Sequence, residues 1–188
     1  MLQDLVWTPK TNPSGIGSMI FIAAAADVAS IPAYGAAGVS TLAEGDIAMV
    51  ATKTFHRIYS TQGKAKFGYE SLGEKDAKLF KVMAELSYPD IDAKSKELVM
   101  EILNGNCVLL IPTLTTEKAS PTYVMIGGHT YDTEVDAKGT SGDAPGSAKG
   151  LSLTVSSFDI VPGKTYEGAI TLSDGSFDCA TGVFTAGV

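Results

Sequence analysis

The sequence predicts a mainly β fold, a β-sandwich or barrel with one flanking α-helix. Many short stretches have the apolar or alternating pattern of strands, and glycine, proline and asparagine residues mark turns between them. One segment, residues 92–104, combines the three- and four-residue apolar spacing of a surface helix with helix signals at both ends. Several strands beside one helix are typical of a fold in which the helix packs on a sheet.

The predicted helix has signals at both of its ends. Asp92 is the predicted N-cap, because its carboxylate can accept a free N–H group of the first turn. Asn104-Gly105 is the predicted stop, since glycine adopts the left-handed conformation without steric cost. Four side chains form the apolar stripe: Leu98, Val99, Ile102 and Leu103.

Strands are predicted on both sides of this helix. Residues 107–111 and 122–126 are short apolar runs, and residues 151–155 alternate between apolar and polar side chains. Residues 55–72 are predicted to form a hairpin that turns at Gly63, since apolar and polar residues alternate on both sides of it. Residues 78–88 fit a strand face and a helix stripe equally well.

Other strands are predicted near the two ends of the chain. Residues 19–32 begin as a buried strand, although their alanines leave a helix possible. A short strand at 46–51, another at 165–172 and a final hairpin at 176–184 complete the set. We therefore divide the chain into an N-terminal arm (1–18), one β-rich domain (19–172) and a C-terminal extension (173–188). Within the domain, the glycine-, alanine- and serine-rich residues 136–150 are predicted to be a long loop.

Composition excludes several classes of protein. The chain has 188 residues, a formal net charge of −7 and a single arginine, Arg57. Binding of nucleic acid through its phosphates requires clustered lysine and arginine, so a basic nucleic-acid interface is not expected. The longest apolar run, residues 19–26, is far shorter than the roughly 20 residues of a membrane helix, so no membrane insertion is expected. The first ten residues lack the pattern of a signal peptide.

The residues that usually carry chemistry are sparse. His56 and His129 have no cysteine or histidine at metal-ligand spacing, and Cys107 is predicted to be a buried free thiol. Residues 139–150 lack the Gly-Lys-Ser/Thr ending of a phosphate-binding loop. Asp90 and Asp92 are explained better by the start of the helix than by acid–base catalysis. We therefore predict no catalytic residue, cofactor or metal, and no enzymatic activity.

The order of several segments resembles a known family. It runs GYESLGEKDAKLFKVMAELSYP, a short helix, NGNCVLLIP, TYVMIGG, KGLSLTVSSF and TYEGAI. This order resembles the tail-tube or tube-like virion structural proteins of bacteriophages that infect Bacteroides-type bacteria. The resemblance covers about residues 20–170, and its most specific part is Gly73-Glu74-Lys75-Asp76. In that family the segment after this motif is a strand, so the resemblance implies a strand at residues 78–88.

The resemblance implies an assembly of many copies. Proteins of this family form hexameric rings whose inner strands close into one β-barrel, and the rings stack into a tube through which DNA passes. The implied partners are copies of the chain itself, other tail proteins of the virion and DNA in transit, which is not bound by sequence. The implied location is the virion tail, assembled in the cytoplasm of the bacterial host.

Two groups of residues follow as candidates from this scheme. An acidic lumen would repel DNA phosphates, and the candidate lumen residues are Asp46, Glu70 and Glu74. The arm at 1–18 and the loop at 136–150 are candidate contacts between rings, with Lys138, Asp143 and Lys149 as the candidate residues of the loop.

Two other functions remain open. A capsid decoration or head–tail joining protein would also be acidic and rich in strands, but would not polymerise alone. A soluble β-sandwich binding module would need an exposed aromatic platform, and the only tryptophan is Trp7 in the arm.

Overall fold

The computed structural model describes residues 13–32, 45–115, 121–128, 131–143, 147 and 149–187. These residues form one α-helix, one short 3-10 turn at Ala25–Asp27 and fourteen strands. In chain order the elements are β1 Met19–Ala24, β2 Val28–Ser30, β3 Ala48–Met49, β4 His56–Tyr59, β5 Lys66–Leu72, β6 Leu79–Tyr88, α1 Ala93–Ile102, β7 Cys107–Thr113, β8 Thr122–Ile126, β9 Thr133–Thr140, β10 Gly150–Asp159, β11 Lys164–Tyr166, β12 Ala169–Leu172, β13 Gly175–Asp178 and β14 Val183–Ala186.

The strands form four antiparallel sheets. The largest has five strands in the order β11-β8-β7-β1-β4, and the second has four in the order β5-β6-β10-β9. A three-stranded sheet contains β12, β13 and β14, and β2 pairs with β3. The prediction of a mainly β fold with one helix is confirmed. Among the described strands no sheet closes into a barrel.

The five-stranded and four-stranded sheets share one apolar core. The five-stranded sheet contributes side chains such as Ile20, Leu109 and Ile126, and the four-stranded sheet contributes side chains such as Val82 and Val155. Helix α1 adds Ile102 to this core, with Leu98 and Val99 packed at its margin. The apolar stripe of the helix therefore packs against this core, as the sequence predicts, although Leu103 is exposed.

A second core lies on the opposite face of the five-stranded sheet. Here Phe21, Val108 and Leu110 pack against Ile170 and Phe177 of the three-stranded sheet. The predicted C-terminal hairpin is confirmed as β13 and β14, and its pairing with β12 builds the sheet that closes this second core. The predicted boundary at residue 172 thus falls inside the three-stranded sheet.

Strand β7 is buried on both faces. Cys107, Leu109 and Ile111 face the first core, while Val108 and Leu110 face the second. Successive side chains of a strand point to opposite faces, so a central strand between two cores has no polar face. This explains why its sequence is a continuous apolar run.

The ends of the helix agree with the sequence in part. Asp92 is the N-cap, and its Oδ1 accepts a hydrogen bond of 2.8 Å from the N–H of Ser95. The helix ends at Ile102 with Leu103 as the C-cap. The expectation of a left-handed glycine at Gly105 is wrong, because Gly105 is not among the residues with positive φ. Its N–H donates instead to the carbonyl of Ile102, at 3.2 Å.

The predicted hairpin at residues 55–72 is wrong. β4 pairs with β1 in the five-stranded sheet, and β5 pairs with β6 in the four-stranded sheet. Between β4 and β5 the chain crosses from one sheet to the other. Two hydrogen bonds fix this crossing: the Ser87 N–H donates to Ser60 Oγ at 3.0 Å, and the Thr61 N–H donates to the Ser87 carbonyl at 2.7 Å. The alternation on both sides of Gly63 is real, but each side faces the shared core from a different sheet.

Two further segments differ from prediction. The loop predicted at 136–150 is shorter, because β9 extends to Thr140 and pairs there with Gly150, which leaves residues 141–149 as the connection. The strand predicted at 165–172 is two strands in two sheets, β11 and β12. They separate at Gly168, where a Cβ atom would overlap the carbonyl oxygen of Gly45.

The remaining predictions concern the first half of the chain. The predicted strand at 19–32 is confirmed at its start but is interrupted by the 3-10 turn, and the strand at 46–51 is the two residues of β3. The ambiguous residues 78–88 form a strand, β6. Residues 13–18 of the predicted arm lie against the domain, where the Gly17 N–H donates to the Pro112 carbonyl at 2.7 Å. Residues 1–12 lie outside the described residues.

No helix in the described part of the chain has the length and apolar character needed to cross a bilayer.

Candidate assembly surfaces

The outer face of the four-stranded sheet is polar. The faces of this sheet follow from its register, since directly opposed residues of an antiparallel pair lie on the same face. Ala84, Val155 and Val135 lie in one row toward the core, and the rows between such core-facing rows point outward. The charged outward residues are four carboxylates and three lysines: Glu70, Glu85, Glu134, Asp136, Lys66, Lys81 and Lys138.

These charges are mixed rather than uniformly acidic. Lys66 Nζ lies 2.8 Å from Glu85 Oε1, and Glu70 is directly opposite Lys81. Glu134 and Asp136 lie on β9, opposite Ser156 and Thr154 of β10 and therefore without a lysine directly across from them. The negative character of the face is therefore concentrated on β9.

The five-stranded sheet has no comparable solvent-facing side. One of its faces belongs to the first core and the other to the second, so its central strands are buried throughout. Of the two large sheets in the described part of the chain, the four-stranded sheet is therefore the one with a broad polar face.

Both outer strands of the four-stranded sheet have an open edge. β5 has seven residues and β9 has eight, and no other described strand pairs with either of them on its outer side. Unpaired backbone N–H and C=O groups along an edge are a template for pairing with another chain. Tyr69 of β5 is 58% exposed even though it lies opposite the buried Val82, because nothing described covers the edge beside it.

The structure separates the three candidate lumen residues. Glu70 lies on the outer face of the four-stranded sheet. Glu74 lies in the connection between β5 and β6, where its carbonyl accepts a hydrogen bond of 3.1 Å from the N–H of Ala77. Asp46 lies beside the three-stranded sheet, where its Oδ1 accepts a hydrogen bond of 2.7 Å from the Ala169 N–H. One surface therefore cannot carry all three.

The three residues of the predicted contact loop are also distributed. Lys138 is an outward residue of β9, opposite Ser152. Asp143 lies in the connection after β9 and accepts a hydrogen bond of 2.6 Å from Ser147 Oγ, which lowers the pKa of its carboxyl group. Lys149 forms an ion pair with Asp90, and this contact lowers the pKa of Asp90. The connection is thereby tied to the segment that precedes α1.

Neither cysteine is in a reactive environment. Cys107 and Cys179 are both free thiols and both buried. Burial raises the pKa of each thiol above its ordinary value, and a nearby Asp178 acts in the same direction on Cys179. A thiol with a raised pKa is protonated at neutral pH and is a poor nucleophile.

The described residues also contain no group of three or more His, Cys, Asp or Glu side chains that could hold a metal ion. His129 lies outside the described residues. His56 lies at the edge strand β4, beside the cleft between β4 and α1.

Sequence reasoning missed Glu85, Glu134 and Asp136 as surface carboxylates of one sheet. The signal was present in residues 133–137, where Val135 and Ala137 alternate with polar neighbours. It was obscured because these residues run into a stretch of small residues typical of a loop.

Comparison of the chain with protein families, with characterised proteins and with solved structures finds no match.

Proposed function

We propose that this chain is a structural subunit of a bacteriophage tail tube, in which copies assemble into stacked rings around a DNA-conducting lumen. In this proposal the five- and four-stranded sheets form a β-sandwich with α1 at its flank. The observation that carries the proposal is the four-stranded sheet, which combines a polar outer face with two open edges. The family resemblance adds the hexameric ring and the partner proteins of the tail.

The strand number of this sheet suits a ring. Its four strands are all antiparallel, so β5 and β9 run in opposite directions. A rotation that brings β9 of one copy beside β5 of the next preserves strand direction and makes an antiparallel pair at the junction. Repetition around an axis then closes the open edges into one barrel, whose strands would tilt to accommodate the closure.

The same geometry assigns the lumen. If the four-stranded sheet forms the barrel, its core face packs on the rest of each subunit and its outer face lines the channel. The candidate lumen residues then become Glu70 and the two carboxylates of β9, Glu134 and Asp136, in place of Asp46. The carboxylates on this face repel phosphates, and the lysines between them lie beside glutamates rather than in a continuous basic row. DNA can therefore slide through without being bound.

Electron microscopy of the purified protein at high concentration, with light scattering on the same sample, tests the proposal. Rings or hollow tubes with a regular axial repeat are the expected result. A folded species that remains monomeric at every concentration would contradict self-assembly and favour a decoration or head–tail joining protein.

A variant pair tests the edges themselves. Tyr69→Lys places a charge on the exposed edge of β5, a device by which natural edge strands prevent pairing. We expect this variant to fold and to lose ring formation. Met100→Lys is the matched control, because Met100 is 79% exposed on α1 and belongs to neither edge. Equal assembly of the two variants, with unchanged circular dichroism, would exclude β5 from the subunit contact.

A further inference from the structure

The two outer strands of the four-stranded sheet are exposed over most of their length. On β5 every residue from Tyr69 to Leu72 is exposed, and on β9 Lys138, Gly139 and Thr140 are exposed. Tyr69 lies opposite the buried Val82 and is nevertheless 58% exposed. Both edges are therefore accessible to a neighbouring copy along these residues.

The strand pairings define a straight row across the outer face of this sheet. The row has one residue on each strand, in the order β5-β6-β10-β9: Lys66, Glu85, Thr154 and Asp136. If Asp136 faced Lys66 of the next copy, the row would return to its starting residue around the ring, and the strands would run parallel to the ring axis. A closed barrel requires tilted strands, so the junction must shift the row along the strands.

The geometry of sheets limits the size of this shift. It must be an even number of residues, because an odd shift would place outward side chains of one copy beside core-facing side chains of the next. A strand rises about 3.3 Å per residue, and four strands with a spacing of about 4.8 Å are about 19 Å wide. A shift of four residues then tilts the strands by roughly 35° and a shift of six by roughly 45°, which are the usual limits for barrels.

Other shifts do not suit a barrel built from these strands. A shift of two residues tilts the strands by only about 20°, and a shift of eight tilts them by about 55°. Shifts of four or six residues in the opposite direction would leave no residue of β5 opposite a residue of β9. The choice is therefore between four and six residues.

The charges at the junction distinguish these two registers. With a shift of four residues, Asp136 lies opposite Glu70 of the next copy, and like charges that face each other destabilise a strand pair. With a shift of six, Asp136 lies opposite Leu72, and Lys138 lies opposite Glu70. Opposite charges in this position stabilise the pair.

We propose that β9 of one copy pairs with β5 of the next in the register that sets Lys138 opposite Glu70. This inference rests on the proposed tube function and identifies the contact that closes its ring. Within its own sheet Lys138 lies opposite Ser152, so no carboxylate is directly across from it. Glu70 already faces Lys81 of its own copy, and the junction places a second lysine on its other side.

The same register suits the uncharged residues of the junction. Tyr69 lies across from Gly139, and an aromatic ring beside an edge glycine covers backbone that the glycine leaves exposed. Ser71 lies across from Ala137, so two small side chains meet where the junction borders the core. The facing pairs run from Gly68 with Thr140 to Leu72 with Asp136.

Charge reversal tests the pair. Glu70→Lys and Lys138→Glu, each alone, set like charges opposite each other at every junction, and each is expected to raise several-fold the protein concentration at which rings form. Glu70→Lys/Lys138→Glu restores an opposite-charge pair and should recover ring formation relative to Glu70→Lys. Glu97→Lys, the same reversal on α1, is the control and should leave assembly unchanged.

Light scattering and electron microscopy at low salt measure assembly, and circular dichroism verifies that each variant is folded. Rings of the unmodified protein without recovery in the double variant would overturn this register and leave the tube function standing. An unmodified protein that remains monomeric at every concentration would contradict both.

Cysteine cross-linking tests the register without altering its charges. In the proposed register, Ser71→Cys/Ala137→Cys places two thiols opposite each other across the junction, whereas the four-residue shift would place Ser71 opposite Val135. Residues 71 and 137 lie on opposite edges of one sheet, so a disulfide between them joins two copies. Both native cysteines are buried.

Under mild oxidation we expect Ser71→Cys/Ala137→Cys to give several-fold more covalent oligomers on a denaturing gel than Ser71→Cys/Val135→Cys. This difference is expected because residues displaced by two positions are about 7–8 Å apart, beyond the usual reach of a disulfide. Equal yields, or a higher yield from Ser71→Cys/Val135→Cys, would overturn the proposal.

Discussion

Lys164 Nζ lies 2.8 Å from Asp159 Oδ2, and only 11% and 13% of the two side chains are exposed. Asp159 ends β10 in the four-stranded sheet, and Lys164 begins β11 in the five-stranded sheet. The ion pair therefore joins the two sheets at the point where the chain passes from one to the other. Asp159 Oδ1 also accepts a hydrogen bond of 2.7 Å from the Ile160 N–H, which fixes the carboxylate in place.

Removal of one partner of this pair is expected to cost more than removal of both charges. Lys164→Met leaves a buried carboxylate without its ammonium partner and should lower the free energy of unfolding by about 3–5 kcal/mol. Asp159→Asn/Lys164→Met removes both charges, keeps an oxygen for the Ile160 N–H, and should lose less. Urea denaturation of the three proteins measures the difference. A double variant less stable than Lys164→Met would contradict this account.

The same pair predicts a pH dependence. Burial lowers the pKa of Lys164 to about 8, from 10.5 in the unfolded chain. Between these values the unfolded chain binds more protons at this site, so the contribution of Lys164 to stability rises with pH from about 8 to 10.5. We expect the unfolding free energy of the unmodified protein to increase over this range relative to Asp159→Asn/Lys164→Met. A constant difference would show that Lys164 titrates normally.

The double-sided burial of β7 predicts similar losses at adjacent residues. Leu109 faces the first core and Leu110 the second, and both are fully buried. Leu109→Ala and Leu110→Ala should each lower the unfolding free energy by about 2–5 kcal/mol, because each leaves a cavity in a packed core. If one face of the sheet were solvated, only one of these two substitutions would lower the unfolding free energy by this amount. Denaturant unfolding of both variants is the measurement, and a loss below about 1 kcal/mol at Leu110 would contradict the second core.

Two glycines form a matched pair for backbone strain. Gly127 follows β8 at φ 85°, and a Cβ atom there would overlap the carbonyl oxygen of Cys107. Gly127→Ala should cost roughly 1–3 kcal/mol from the left-handed backbone alone, and more from the overlap. Gly68→Ala, in β5, meets nothing within 4 Å and should be nearly neutral. Thermal unfolding compares them, and equal melting temperatures would refute the assignment of strain to Gly127.

The carboxylates of β9 predict how assembled tubes treat DNA. Tubes of the unmodified protein should not retain DNA, because phosphates are repelled from Glu134 and Asp136. Glu134→Lys/Asp136→Lys should leave tubes intact and make them retain DNA at low salt, as measured by cosedimentation. Asp46→Lys is the control, since Asp46 lies beside the three-stranded sheet. Equal retention by both variants would remove the outer face of the four-stranded sheet from the lumen.

The sequence predicted well those elements whose signals are local. The cap at Asp92, the helix stripe and the apolar strands β7 and β8 follow from neighbouring residues and are confirmed. The hairpin at 55–72 failed because alternation records which face of a strand is buried, not which strand it pairs with. The pairing of β4 with β1 and of β5 with β6, which joins segments distant in sequence, shows that the chain changes sheets there.

The candidate site was predictable only in part for the same reason. Asp46, Glu70 and Glu74 were all chosen without knowledge of the register, and of the three Glu70 lies on the outer face of the four-stranded sheet. The grouping of Glu70 with Glu134 and Asp136 depends on three strand pairings, which join residues up to 79 positions apart. The cleft between β4 and α1 likewise arises from elements that no local pattern brings together.

The position of the three-stranded sheet at the end of the chain has a consequence for biosynthesis. Phe21, Val108 and Leu110 are made early, but the side chains that cover them, such as Ile170 and Phe177, are made last. A nascent chain therefore exposes one apolar face of its five-stranded sheet until residues 170–177 have left the ribosome. During translation that face is the natural target for chaperones and the most vulnerable point for aggregation, even though it is fully covered in the folded protein.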